Sequence, residues 1–199
     1  MNNTHVISGL VEELNEFFSK YQNTITPELE EKKESLMESL PLLAPIEDHS
    51  YSLIDLNTGK CISHHSIYEN TLLHPAISIH QKIHTASWTE FAHPVDLINT
   101  LYLAKVALLV INKLPANSIK DFRLSHPIRM KNKDNNEDCF ILNYKIALND
   151  ANNRPWLVLM HTKRCHLVPA INEKRFRIIS VEPTQLFKKK IFILFFYCV

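Results

Sequence analysis

Between residues 121 and 163 apolar and polar side chains alternate along the chain. Phe122, Leu124, His126, Ile128 and Met130 fall on one side, and Arg123, Ser125, Arg129 and Lys131 on the other. A period of two over this length predicts a strand with one buried face. A polar turn, 132–137, is rich in residues that tolerate left-handed backbone. A second run then places Phe140, Leu142, Tyr144, Ile146 and Leu148 on one face. After a second polar turn, 149–154, the run 155–160 is apolar on both faces. That pattern predicts a strand inside the sheet or covered on both sides. Pro155 stands at its first position, where a missing N–H does least harm. Three such strands make an antiparallel meander, and its apolar face needs a cover.

Helical periods supply one. Leu10, Val11, Leu14, Phe17, Phe18 and Tyr21 recur at helical spacing and predict a helix over 4–21. Thr26 is a fitting cap for a second helix, with Pro27 in its first turn and Glu28, Glu30 and Glu31 at the positive end of its dipole. Leu29, Leu36 and Leu40 give it a thin apolar stripe, and Pro41 is expected to end it. These helices either pack on the sheet or pair with a second copy. A short strand at 51–56, a turn with Gly59 available for positive φ, and a returning strand at 61–65 predict a first hairpin. Short helices are expected at 67–72 and 75–84, and a long helix over 94–113. Leu97, Leu101, Ala104, Leu108 and Ile111 form its apolar face, and the run 106–111 is apolar all round. This helix is expected to be the main cover of the sheet. A helical turn over 118–120 leads into the meander. The order predicts an α+β fold: a five-stranded antiparallel sheet covered by helices, with an N-terminal helical segment.

The chain has 199 residues, 45% hydrophobic and 22% charged, with a net charge of +1. No global field points to nucleic acid or a membrane surface. With only two glycines, Gly9 and Gly59, no glycine-rich phosphate loop, dinucleotide fingerprint or nucleophile elbow can be built. The four cysteines (Cys61, Cys139, Cys165, Cys198) form no C-x-x-C pair, which points to reduced, buried thiols. The first residues lack a signal-peptide pattern, and no uninterrupted apolar run reaches membrane-spanning length. A cytoplasmic location is expected. Lys188, Lys189 and Lys190 read as a solvated turn.

The stretch Phe91, Ala92, His93, Pro94, Val95, Asp96 and Leu97 resembles the His-Pro-x-Asp segment that opens the long helix in many PAS domains. Asp121, Phe122, Arg123 and Leu124 resemble the strand that follows. Residues 152–157 resemble the hairpin into the last strand, although neither late turn carries the glycine usual there. The resemblance covers about 47–162. More narrowly, the arrangement is similar to the sensor half of bacterial LuxR-type transcription regulators. It implies an N-terminal helical segment at 1–44, a PAS-like sensor domain at 45–166, and a linker and apolar tail at 167–199. In that family a helix-turn-helix domain follows; here 191–199 is a run of apolar residues. Two expectations stand side by side: an interrupted effector domain, or a terminal strand or core helix.

Eleven histidines raise the question of a metal. His80 and His84 have ligand spacing on an expected helix, but the glutamate of H-E-x-x-H is missing and no third ligand is indicated. His84 is the nearest candidate for haem ligation, which some PAS domains use. His64 with His65 and His161 with His166 are adjacent or near pairs, and His93 reads as a capping or junction residue before Pro94. No cysteine has the Asn-Cys-Arg context of flavin-binding PAS domains. No cofactor is named, and no catalytic or metal residue is assigned. The resemblance implies a ligand pocket between sheet and long helix, with Phe122, Leu124, His126, Leu142, Tyr144, Leu101 and Leu108 as its residues; His126 and Tyr144 would be its polar pair. The expected function is non-enzymatic sensing of a small molecule or partner within a transcription regulator. Binding would act on the N-terminal helices or on 168–184. A homodimer is expected, without direct nucleic-acid or membrane contact. The alternatives are a small metal-assisted hydrolase using histidines, or a pure dimerisation module with a filled core.

Overall fold

The computed structural model describes residues 3–68, 91–119, 121–165 and 177–180. Two helices, α1 (Asn3–Lys20) and α2 (Pro27–Glu47), precede the hairpin of β1 (Ser50–Asp55) and β2 (Lys60–His65). Then come α3 (Pro94–Ile111), a short α4 (Ala116–Ile119), β3 (Phe122–Lys131), β4 (Glu137–Asn149), β5 (Pro155–Arg164) and β6 (Arg177–Ser180). The strands form one antiparallel sheet in the order β2-β1-β5-β4-β3-β6. The α+β pattern and its five expected strands are therefore present. The sixth strand lies in the stretch read as linker and pairs with the edge of β3, from Phe122 opposite Ser180 to Ser125 opposite Arg177. The expected helix at 75–84, with His80 and His84, lies outside the described residues. So do the expected helix at 67–72 beyond Tyr68, His166, and the apolar tail.

The interior position of β1 and β5, each paired on both edges, explains their composition. On one face, Ile54, Val158 and Met160 join Phe140 and Leu142 under Leu97, Leu101 and Leu108 of α3 and Leu14 and Phe18 of α1. On the other face, Tyr51, Leu53, Leu157 and Leu159 meet Leu40 and Ala44 of α2. Both readings offered for the 155–160 run hold together: β5 lies inside the sheet and is covered on both sides. The N-terminal helices pack on their own sheet. Their connection is tied down by Tyr21 Oη and Asn23 Nδ2 donating to the Pro155 carbonyl, at 2.7 and 3.0 Å. Thr24 N–H donates to Asp150 Oδ2 at 3.0 Å.

Two expectations are corrected. First, α2 runs through Pro41 and Pro45 and stops at Asp48, in left-handed backbone at φ 54°. A proline removes one hydrogen bond and crowds the preceding turn; burial of Leu40 and Ala44, on either side of Pro41, holds the helix together. Second, the alternation in β4 breaks between Ile146 and Leu148, where the register shifts. The irregularity turns Leu148 from the α3 side to the α2 side. By length and composition α3 is apolar enough to cross a membrane, although polar residues interrupt its apolar run. Its charged residues are Asp96 and Lys105. Leu97, Leu101, Leu103 and Leu108 are nonetheless buried in the protein.

Asparagine takes the place of glycine in the late turns: Asn135 has φ 62° and Asn153 φ 59°. Its short polar side chain tolerates this region better than other substituted residues. Gly59 has φ 64°, and a Cβ there would lie 2.5 Å from Phe18 Cδ2. Gly59→Ala is therefore expected to lower unfolding free energy by about 2–4 kcal/mol in urea titrations. Gly9→Ala, on α1 with open space around it, should raise it by roughly 0.5–1 kcal/mol.

Candidate functional site

The start of α3 is pinned to β3. Asp96 accepts from Arg129 Nε at 2.7 Å, from Arg129 Nη2 at 2.9 Å and from the Arg129 backbone N–H at 3.0 Å. Arg129 Nη2 also donates to His93 Nδ1 at 3.0 Å, and the His93 N–H donates to the Arg129 carbonyl at 3.0 Å. Ala92 forms a bridge with Met130. Pro94, at the first turn, needs no partner for a missing N–H. His93 occupies the N-cap position without a side-chain cap bond, so it is a junction residue, as its place before Pro94 suggests. Burial alone would raise the Asp96 carboxyl, but the Arg129 hydrogen bonds and charge outweigh it and hold the group below its ordinary value.

Held this way, α3 crosses the sheet and covers a partly open cavity of about 70 Å³ toward its C-terminal half. Leu101, Ala104, Ala107 and Leu108 of α3 form one wall. Phe122 and Leu124 of β3, Tyr144 and Ile146 of β4, Val158 of β5 and Ile54 of β1 form the facing wall. Phe18 of α1 reaches it from the side. Thr100 is a polar member of the lining, and its hydroxyl donates to the Asp96 carbonyl at 2.8 Å. Tyr144 is another. Burial raises its phenol far above the usual value, so it stays protonated and able to donate a hydrogen bond.

Of the expected pocket residues, Leu101, Leu108, Phe122, Leu124 and Tyr144 line this cavity. His126 and Leu142 do not. They face each other across β3 and β4, one rung beyond Leu124 and Tyr144. There the core closes, and both are buried, at 2% and 0% exposure. His126 stacks on Tyr144 with ring centroids 5.8 Å apart and planes at 15°. Its Nδ1 is 3.2 Å from the Pro127 carbonyl. Burial lowers its pKa to about 4, so the ring is neutral near pH 7. The residues missed by sequence reasoning are chiefly Ala107 and the β1 and β5 contributors. The available signal was a pair of alanines, Ala104 and Ala107, on an otherwise bulky helix face.

Two further histidines among the described residues have local partners. His64 Nδ1 is 2.7 Å from Ser52 Oγ, and burial, with the nearby His65, lowers its pKa to about 4. His161 stacks on Tyr51 at 6.0 Å. Among the described residues no group of three or more His, Cys, Asp or Glu side chains is placed to hold a metal ion. No family model matches the chain, and no characterised protein is significantly similar to it in sequence.

Two acid-dependent outcomes follow from these environments. The depressed Asp96 carboxyl contributes stability that is present above the unfolded-state value near 3.9 and is lost as pH falls through the folded value. Asp96→Asn should cost about 2–4 kcal/mol at pH 7. In urea melts taken across pH, that penalty should shrink below about pH 4. His64 and His126 are also depressed, from an unfolded value near 6.5. The unfolded chain therefore binds their protons first. Stability should decline as pH falls from about 6.5 toward 4, and the replacement His126→Gln should flatten part of that slope.

Proposed function

We propose that the chain is a non-enzymatic, cytoplasmic, PAS-like sensing module of a bacterial transcription regulator. In this reading the cavity under α3 takes a small apolar or amphipathic molecule. The observation that carries it is the apolar cavity between the long helix and the sheet, with Tyr144 in its wall. The order of elements supports the PAS reading: a hairpin, an insertion, a long helix, then three strands. So does the structural work done by His93, Pro94 and Asp96 at the helix entrance. Ordinary ligand sites measure about 300–1,000 Å³. A cavity of about 70 Å³ therefore suits a molecule no larger than one small ring, unless α3 shifts outward. Occupancy would favour whichever position of α3 accommodates the ligand best, and α1, packed on α3, would move with it. Homodimerisation through the N-terminal helices would pass the change on. Direct contact with nucleic acid or membrane is not part of this function.

The small volume itself favours a second reading, a dimerisation module with a nearly filled core. Leu42 and Ile46 of α2 are 68% and 78% exposed and supply apolar surface for it. The hydrolase alternative rests on His80 and His84, outside the described residues.

Native mass spectrometry of the purified chain, followed by thermal-shift titration with phenol, toluene and indole, separates the two readings. For the sensor, one of these probes or a copurified molecule binds. At 100-fold excess over Kd the gain is about 2.7 kcal/mol, and Ala107→Leu removes it while the fold is kept. An apo dimer that ignores every probe, and that Leu42→Glu with Ile46→Glu dissociates, replaces the sensor reading with the dimerisation module.

A further inference from the structure

β4 and β5 pair antiparallel with Phe140 opposite Arg164. One step further along that register sets Cys139 opposite Cys165. The Cys165 N–H donates to the Cys139 carbonyl at 2.7 Å, which confirms the apposition. Directly opposed residues of an antiparallel pair project to the same face, with Cα atoms about 4.5–5.5 Å apart. A disulfide spans roughly 4.4–6.8 Å between Cα atoms. Cys139 is buried and Cys165 is partly exposed. Cys61 is in a different place, buried in β2, where its thiol donates to the Ser63 carbonyl at 3.2 Å.

We propose that Cys139 and Cys165 are a modification site: a thiol pair that closes to a reversible disulfide when the protein meets a peroxide. The more exposed Cys165 reacts first. Its thiolate attacks one peroxide oxygen, the O–O bond breaks, and the departing oxygen leaves as water after taking a proton. Cys165 is then a sulfenic acid. The Cys139 sulfur attacks the Cys165 sulfur, the S–S bond forms and the S–OH bond breaks. Hydroxide departs and takes up the Cys139 proton to give a second water. The two thiols have lost two electrons, and the peroxide has been reduced to two waters. Burial pushes the Cys139 thiol up to about 11, which suits it to the slower, resolving step.

The position gives the bond consequences. Cys139 is opposite Arg129 on its other side, the arginine that holds Asp96. Cys165 directly follows the end of β5. A disulfide would therefore fasten the chain's exit from the sheet to the strand beside the α3 anchor.

The test treats the full chain with hydrogen peroxide, blocks remaining thiols under denaturant, and maps peptides without reduction. The expected product is an intramolecular 139–165 crosslink, lighter by two hydrogens. Melting temperature should rise by about 5–10 °C, and dithiothreitol should reverse the rise. Cys165→Ser, at the partly exposed position, should abolish both effects with the circular dichroism spectrum unchanged; Cys61→Ser should abolish neither. Should Cys139 remain open to alkylation after unfolding, or should Cys165 link instead to Cys198 or to another chain, the proposal is overturned.

Discussion

The ion pair of Asp96 and Arg129 sets the position of the helix on which the remaining architecture depends. One carboxylate receives two guanidinium N–H groups and a backbone N–H, and the same guanidinium reaches His93. The side chains of Asp96 and Arg129 are only 12% and 25% exposed, so water screens the pair less than it screens an open surface bridge. Its bidentate geometry fixes direction as well as distance. The first turn of α3 is thereby set against the open edge of β3, beyond the part of that strand that β6 covers. The path of the helix across the sheet, and with it the cavity under Ala104 and Ala107, follows from that anchor.

A second constraint works at the opposite end of the strands. Asp150 is 4% exposed and accepts from the backbone N–H groups of Thr24, Asn152 and Arg154 and from the Arg154 guanidinium. Burial would raise its carboxyl, and these bonds hold it below the ordinary value instead. One buried carboxylate thus shapes the β4–β5 turn and fastens the α1–α2 connection to it. The N-terminal helices are for this reason part of the domain, with α1 on α3 and α2 on the far face of the sheet.

The strand order gives that arrangement a mechanical meaning. Ile54 and Val158 line the cavity, whereas their chain neighbours Leu53 and Leu157 face Leu40 and Ala44 of α2. The cavity and α2 are therefore separated by a single sheet layer, built here from the neighbouring interior strands β1 and β5. Packed layers of this kind shift between discrete arrangements more readily than they deform continuously. Any occupant of the cavity would be felt through α3 by α1 and through β1 and β5 by α2.

Periodicity in the chain alone determined the elements and most of their inward faces. Alternation identified β3 and most of β4, the doubly apolar run identified β5 as central, and the helical stripes located α1, α2 and α3. Those features are local, because side-chain direction follows from backbone repeat. The left-handed positions in the turns were also foreseeable from asparagine and glycine chemistry, as Asn135, Asn153 and Gly59 show. What depended on distant partners could not be read this way. Pro41 does not end α2, because Leu40 and Ala44, on either side of it, are buried in the same core. Leu148 changes face because β4 slips against β5, and β6 exists as a strand because β3 offers an open edge. His126 shares the alternation of Leu124 yet sits one rung past the cavity, since the void is set by where Ala104 and Ala107 cross the sheet. The crossing point is a three-dimensional quantity, fixed by the reach of Asp96 to Arg129, and no spacing along the chain encodes it.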